Sequence, residues 1–348
     1  MVKLLVVALV VHLFVIPQLG GARKALSLLR SVNPLLVLAA LCLVIAALVA
    51  YGRLTQVLLP DSHRPSLGVC TAVVVASNGI NHVVPGGAAT TAAVNARLLD
   101  RLGVPGPDIA FVLATQGLGS AVVLNVILWL ALVISIPTRG FDPLYGTAAA
   151  AAALLLVLVV LLVVGLRHGT DVVVRLVHKL VGWLPRVDPD RAETAVRRFA
   201  EHLAVLARDR HRLRMAAVWA TANWLLDASA LWVMLVAFGH RPGFDGLMVA
   251  YGLANVMAVV PITPGGLGIV EAVLIPTLVG FGTPYSVAAV GVIAYRLINF
   301  WLPIPVGGLC YVAVQRRARS ASGSFSWRGD LNELATGPNP GPSGSEPG

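Results

Sequence analysis

Charged side chains are scarce in this sequence. Only 12% of its 348 residues are Asp, Glu, Lys or Arg, whereas hydrophobic residues make up 57%. An ordinary soluble domain carries about 25% charged residues, because its surface must face water. The scarcity of charge therefore excludes a water-soluble fold of this length and indicates a protein that lies mostly within a bilayer.

Recognisable catalytic and metal-binding patterns are also missing. The three cysteines, Cys42, Cys70 and Cys310, lie far apart within apolar segments, which excludes a disulfide framework or a paired-cysteine zinc site. The sequence shows no Ser-His-Asp set, paired catalytic carboxylates or phosphate-cradling loop at recognisable spacing. We therefore expect no cofactor and no metal, and a transporter more readily than an enzyme.

Long uncharged runs are what the sequence has in abundance. A membrane-spanning helix needs about 20 apolar residues, and the runs that reach this length are 33–52, 109–138, 143–166, 246–270 and 272–295. A weaker run at 215–239 contains Asp227, and a short one begins at residue 4. These runs predict an all-α, polytopic membrane helix bundle.

The net charge of +10 comes from basic residues that flank the apolar runs. Basic loops mark the cytoplasmic side of a membrane protein, so we expect no nucleic-acid partner. The longest basic stretch, 167–212, predicts a cytoplasmic segment that contains an amphipathic helix. Residues 316–348, rich in Gly, Pro and Ser, predict a disordered cytoplasmic tail after a transmembrane domain of residues 1–315.

Two blocks of the sequence resemble each other. In the first, Asn78 and an apolar run precede Pro85-Gly86-Gly87, and in the second, Asn255 and an apolar run precede Pro264-Gly265-Gly266. Breaks at matching places in two halves indicate discontinuous helices and a binding site. Charge counting does not separate two re-entrant hairpins from two kinked full spans, but the symmetry favours hairpins in an inverted repeat.

This interpretation predicts about six full spans plus the two hairpins. The spans are expected at 2–18, 33–58, 108–137, 144–166, 213–238 and 286–314. The protein is then a multi-pass protein of the cell membrane, and both of its termini lie in the cytoplasm.

The second block carries a family resemblance. Val260-Pro261-Ile262-Thr263-Pro264-Gly265-Gly266-Leu267-Gly268-Ile269-Val270-Glu271, followed by Tyr295-Arg296 and Asn299-Phe300-Trp301-Leu302-Pro303, resembles the flippase-like family of the lysylphosphatidylglycerol synthase transmembrane region. The likeness covers roughly residues 1–315. The aminoacyl-transferase domain of the full synthases has no counterpart here, so the resemblance implies the translocating half as a stand-alone member.

The candidate site follows from the two breaks and from the charges near them. The substrate-binding residues we predict are Arg296, Glu271, Arg97, Gly265, Gly266, Pro264, Gly86, Gly87, Asn78 and Asn255. Gly and Pro permit a chain reversal at membrane depth, and the half-helix that follows offers its amides to a lipid phosphate. Close helix packing is the alternative role of the glycines, and interhelical hydrogen bonding that of the asparagines.

Each charged candidate also has alternative roles. Glu271 suits a helix cap, a salt bridge to Arg296 or a head-group contact. A guanidinium pairs bidentately with phosphate, which favours the arginines as ligands, although Arg97 near an interface is also explained by snorkelling. Asp227 suits either a coupled proton or a pair with an arginine.

These features lead to two functional hypotheses. The first is a translocator of lipid or glycolipid that moves an anionic-head-group lipid between leaflets. The second is a membrane partner of a separate glycosyl- or aminoacyl-transferase. An intrinsic membrane enzyme ranks third.

Overall fold

The fold is a bundle of helices in a computed structural model of the chain. The structure describes residues 33–84, 87–139, 208–258 and 263–323, together with a few isolated positions between 153 and 206. The predicted spans 2–18 and 144–166, most of the basic segment 167–212 and the tail beyond 323 lie outside the described residues.

Nine α-helices make up this part of the chain. In order they are α1 Pro34–Leu58, α2 Leu67–Asn81, α3 Gly87–Arg101, α4 Gly106–Arg139, α5 Arg210–Ala237, α6 Phe244–Met257, α7 Ile269–Gly280, α8 Tyr285–Arg296 and α9 Pro303–Gly323. A 3-10 turn, Pro264–Gly266, precedes α7, and a π-helical turn, Leu297–Trp301, joins α8 to α9.

Capping residues define where the long helices begin. The Asn33 side chain accepts a hydrogen bond from the amide of Leu35, and Pro34 occupies the first helical position, where no amide donor is needed. The Asp209 side chain likewise accepts from the amide of Arg212 at the start of α5.

Four helical stretches are long and apolar enough to cross a membrane. They are Pro34–Leu58, Gly106–Ser135, Arg210–Ala237 and Tyr285–Arg319, and they match four of the six predicted spans. The last helix continues to Gly323, seven residues past the predicted start of the tail at 316. The first residues of the predicted tail are therefore helical.

The helices α2, α3, α6 and α7 are too short to cross. Helix α2 has 15 residues and α7 has 12, so they reach only about 22 and 18 Å of a hydrocarbon core about 30 Å thick. Helices α2 and α3 pack against each other, as do α6 and α7. Each pair therefore forms a helical hairpin, and the described break Pro264–Gly266 lies between α6 and α7.

The first hairpin begins and ends at one end of the bundle. Leu58 at the end of α1, Cys70 at the start of α2 and Leu99 at the end of α3 share one buried cluster. Deeper in the hairpin, the Ser77 hydroxyl donates to the side-chain oxygen of Asn95 at 2.7 Å. The chain thus enters and leaves on the same side, as the sequence predicted.

The second hairpin begins and ends at the opposite end. Gly246 at the start of α6 lies directly against the Phe281 ring just after α7. The long helices α1 and α5 pack in antiparallel directions, because Asp61, just after α1, pairs with Arg212 at the start of α5. The hairpin that follows α1 and the one that follows α5 therefore enter from opposite ends.

The helix contacts repeat the same pattern in both halves. Helix α2 packs against α9 of the second half, and α6 packs against α4 of the first half. In each half, the hairpin thus packs against a long helix of the other half. This arrangement is the inverted repeat that the two Pro-Gly-Gly blocks predicted.

Glycine allows the closest of these helix contacts. A Cβ atom on Gly307 of α9 would lie 2.7 Å from the carbonyl oxygen of Val75 and 3.0 Å from the Cα of Gly79, both on α2. Backbone atoms cannot move aside cheaply, so α2 and α9 approach closely only because these positions lack side chains.

We expect Gly307→Ala to destabilise the protein by about 1–3 kcal/mol, the usual cost of overpacking. Gly308→Ala is the matched control, because a Cβ there would meet nothing within 4 Å. The measurement is the melting temperature of both variants in detergent. Equal melting temperatures would contradict the close contact between α2 and α9.

Candidate functional site

A cavity of about 270 Å³ lies where the tips of the two hairpins meet between α1 and α5. Many of its lining side chains are polar, although the surrounding helices are apolar. The polar lining residues are Tyr51, Asn78, His82, Thr91, Asn95, Ser120, Asn223, Asp227, Asn255, Arg296 and Asn299. A polar cavity inside a membrane domain is a candidate binding site, because unpaired polar groups are costly there.

Asp227 is the carboxylate that faces this cavity. Its Oδ2 accepts hydrogen bonds from the hydroxyls of Tyr251 at 2.6 Å and Tyr295 at 2.7 Å, and its Oδ1 accepts from the amide nitrogen of Asn299 at 2.5 Å. The donors come from three different elements: α6, α8 and the π-helical turn. Together these three hydrogen bonds tie the second hairpin to α5 and α8.

Arg296 is the guanidinium that lines the same cavity, and two of its N–H groups donate to neighbouring residues. Its Nε donates to Glu271 Oε1 at 2.8 Å, and its Nη2 donates to the carbonyl oxygen of Gly265 at 3.3 Å. Its Cζ lies 4.6 Å from the centre of the Phe300 ring. The Arg296 side chain is 9% exposed, so these contacts compensate a charge that is almost fully buried.

Glu271 serves both as a cap and as an ion-pair partner. It is the third residue of α7, and its Oε2 accepts from the amide of Gly268 at 2.7 Å while Oε1 holds Arg296. Two of the three roles predicted for this residue are therefore present together. The carboxylate already occupies the start of α7, where the sequence predicted a seat for a lipid phosphate.

Left-handed backbone builds the tip of the second hairpin. Gly265 and Gly266 have φ values of 56° and 68°, a region that side chains disfavour. A Cβ on Gly265 would also lie 2.6 Å from the His82 ring. The glycines thus allow both the chain reversal and the close approach of the two tips.

His82 connects the two halves at these tips. Its Nδ1 donates to the carbonyl oxygen of Phe300 at 2.8 Å, since a carbonyl can only accept. The two rings stack with centroids 4.2 Å apart. Phe300 lies in the π-helical turn, which forms where Pro303 has no amide to donate to the preceding turn.

The protein comparisons match the expectation from the motifs. The sequence matches the family described as the lysylphosphatidylglycerol synthase TM region over residues 1–307. The chain belongs to this family. With the four long apolar helices, this membership shows a multi-pass membrane protein.

Similar members of known sequence are themselves described only as membrane or uncharacterised proteins. A UPF0104 membrane protein of Methanothermobacter thermautotrophicus is 29% identical over 92 residues, which is 26% of this chain and 28% of the relative. The uncharacterized protein slr0712 of Synechocystis is 36% identical over 30% of this chain and 33% of the relative. The inner membrane protein YbhN of Escherichia coli is 23% identical over 28% and 30%. Each match spans about a third of the relative's length.

In this lysylphosphatidylglycerol synthase TM family member, the structure brings most of the predicted site residues together. Arg296, Gly265, Asn78 and Asn255 line the cavity. Pro264 and Gly266 shape the hairpin tip, and Glu271 holds Arg296. Gly86 lies outside the described residues, and Gly87 is the first residue of α3.

Arg97 does not join the site. It is exposed on α3 and does not line the cavity, whereas Asn95 of the same helix is buried and does. Two residues along an α-helix turn the side chain by about 200°, so Asn95 and Arg97 face opposite sides. Of the two roles considered for Arg97, its position favours the interfacial one.

The sequence did not single out Tyr251 or Asn95, and it did not identify Asp227 as the centre of a network. Tyr251 sits in an uncharged apolar run, where an aromatic residue predicts a lipid or core contact. Its position four residues before Asn255, one helical turn away, is the signal that places its hydroxyl on the cavity side. The Asn255 side chain in turn donates to the backbone oxygen of Tyr251 at 2.9 Å.

Proposed function

We propose that the chain moves a lipid between the leaflets of the membrane and that the polar cavity holds the head group. The observation that carries this proposal is the cavity itself, which lies where two oppositely entering hairpins meet inside an apolar bundle. Inverted repeats with broken helices place substrate sites at such a point, and rocking one repeat against the other exposes the site to alternate sides.

A second cavity supports a ligand with both polar and apolar parts. It has a volume of about 230 Å³, lies between α1, α4 and α5, and is lined mainly by apolar side chains such as Leu54, Leu58 and Val123. Ser120 lines both cavities. Neighbouring polar and apolar cavities match a lipid whose head group enters one while an acyl chain lies in the other.

The head group predicted from the sequence is anionic, and Arg296 supports it. The Nη1 atom of Arg296 donates to none of the described residues, so its two N–H groups remain for a phosphate oxygen. Arg296 would then contact the phosphate and keep its ion pair with Glu271 at the same time.

Proteoliposomes with fluorescent lipid test the proposal. Chemical quenching of the outer leaflet should reach nearly all of the labelled phosphatidylinositol in vesicles that contain the protein, and about half in empty vesicles. Arg296→Gln should slow this transfer at least about tenfold, which is the equivalent of one charge-assisted hydrogen bond. Arg97→Gln is the matched control and should leave the rate unchanged, because Arg97 lies outside the cavity.

A normal rate of lipid transfer by Arg296→Gln would show that Arg296 does not bind the head group. No transfer by the unmodified protein, together with a co-purifying transferase that needs this chain for activity, would instead support the role of a membrane partner.

The orientation in the cell membrane is part of the same proposal. We place the end of the bundle that contains Asp61 and Arg212 in the cytoplasm, because it adjoins the basic segment 167–212, and both termini follow it there.

A single cysteine at Gly243, in a background without the native cysteines, should react with an impermeant maleimide in intact cells. A cysteine at the exposed Ser62 should react only after lysis. Labelling of both positions from one side would contradict the opposite entry of the two hairpins.

A further inference from the structure

Unused amide groups are the most distinctive feature of the cavity walls. The side chains of Asn78 and Asn223 line the cavity and have no hydrogen-bond partner among the described residues. Asn255 and Asn299 use their amide nitrogens, on Tyr251 and Asp227, which leaves their carbonyl oxygens without a donor in the same part of the chain. These groups come from α2, α5, α6 and the π-helical turn, so they surround the cavity.

Such groups discriminate between head-group chemistries. A phosphate only accepts hydrogen bonds and an ammonium only donates them, whereas a hydroxyl does both, like an amide. Walls that offer uncommitted amide donors and acceptors side by side therefore match several hydroxyl groups better than a lone phosphate or a lone amine.

The charges of the site lead to the same conclusion. Glu271 accepts from the Nε of Arg296 and from the amide of Gly268, so these two donors are not available to a phosphate. The Asp227 carboxyl group faces the cavity, and its oxygens accept hydrogen bonds, so it suits a hydroxyl that can donate to it better than a phosphate that only accepts. Its Oδ1 accepts one hydrogen bond and has a further lone pair available for a hydroxyl donor.

Size and shape narrow the ligand further. A cavity of about 270 Å³ lies just below the usual range for drug-sized ligands, about 300–1,000 Å³, which fits a single ring. Trp224 also lines the cavity, and its Nε1 is fixed by a hydrogen bond to the backbone oxygen of Ser120 at 3.0 Å. A fixed indole ring offers an apolar surface to the C–H groups of a sugar or cyclitol ring.

We propose that the cavity binds one sugar or polyol ring of a lipid head group through the amides of Asn78 and Asn223 and the carboxylate of Asp227. The inference rests on the proposed function and names the substrate class of that site. A phosphate, where the lipid has one, lies at the edge of the cavity beside the Nη1 of Arg296.

Three fluorescent lipids with identical acyl chains test the inference on the full-length protein. Glucosyl diacylglycerol carries a ring without phosphate, phosphatidylinositol carries both, and phosphatidylserine carries a phosphate without a ring. Equilibrium binding in detergent and transfer in proteoliposomes are measured for each. We expect both ring-bearing lipids to bind at least about tenfold more tightly than phosphatidylserine, the equivalent of one or two additional hydrogen bonds.

Asparagine variants test which residues are responsible for the preference for ring-bearing lipids. Asn78→Ala and Asn223→Ala should each weaken binding of glucosyl diacylglycerol about three- to tenfold and leave phosphatidylserine binding unchanged. Asn125→Ala is the matched control, since Asn125 is an intramembrane asparagine of α4 that lines neither cavity. Melting temperatures check folding, and Asn78→Ser replaces Asn78→Ala where the alanine variant does not fold.

The outcomes separate the inference from the proposed function. Equal binding of all three lipids, binding of none, or full sugar-lipid binding by both folded asparagine variants would overturn the inference, even with transfer intact. Selective binding of the ring-bearing lipids without any transfer would uphold the inference and refute translocation.

Discussion

Glu271→Ala is expected to lower the free energy of unfolding by about 3 kcal/mol. The substitution leaves the guanidinium of Arg296 buried without its carboxylate and leaves the amide of Gly268 without its cap. Removal of one partner from a buried pair costs about 3–5 kcal/mol, and the lower end applies because the Glu271 side chain is 22% exposed. The measurement is melting temperature and denaturant unfolding in detergent.

Glu271→Gln should cost less than Glu271→Ala. Its amide oxygen can still accept from the Gly268 amide or from Arg296, although the negative charge is lost. The double variant Glu271→Ala with Arg296→Met should regain part of the lost stability, because the unpaired charge disappears. Additive losses in the double variant would show that the two side chains are not coupled.

A charge exchange is expected not to restore stability. With Arg296→Glu and Glu271→Arg combined, residue 296 cannot donate to the Gly265 oxygen and residue 271 cannot accept from the Gly268 amide. Each side chain thus has a second contact of fixed polarity besides the ion pair. Restored stability in the exchange variant would mean that the ion pair alone matters.

The sequence predicted the arrangement of the chain because that arrangement is encoded locally. Uncharged runs mark spans, and the Pro-Gly-Gly breaks end helices whatever the neighbouring residues are. The second break is followed by Gly268 and Glu271, which form a cap within four residues. The coupling of Glu271 to Arg296 was also predictable, because two intramembrane charges of opposite sign need compensation.

The cavity walls were less predictable because they depend on helix rotation and on contacts between halves. The sequence analysis selected Arg97 because of its charge. The helical period of α3 instead places the side chain of Asn95 in the cavity. The donors to Asp227 are 24, 68 and 72 residues away along the chain. No spacing rule connects them, and only the packing of α5 against α8 and the second hairpin does so.

Asp227→Ala is expected to destabilise the protein by about 3–4 kcal/mol and to abolish lipid transfer. The change removes the acceptor of three hydrogen bonds, and the hydroxyls of Tyr251 and Tyr295, on residues that are 2% and 4% exposed, lose their partner. An orphaned buried donor costs about 1–3 kcal/mol, and cavity water offsets part of the sum.

Asp227→Asn separates the structural role of this carboxylate from its charge. The asparagine oxygen can still accept from both tyrosines, so the melting temperature should fall by less than in Asp227→Ala. The new side-chain NH2 group faces the NH2 group of Asn299, so the hydrogen bond between residues 227 and 299 is lost. Ser229→Ala is the control on the same helix, since the Ser229 hydroxyl donates only to the backbone oxygen of Leu225, and it should leave both melting temperature and transfer unchanged.

If the charge of Asp227 serves the head group, Asp227→Asn remains folded and transfers lipid at least about tenfold more slowly, the loss of one charge-assisted hydrogen bond. Wild-type transfer by a folded Asp227→Asn would confine Asp227 to holding the second hairpin against α5 and α8.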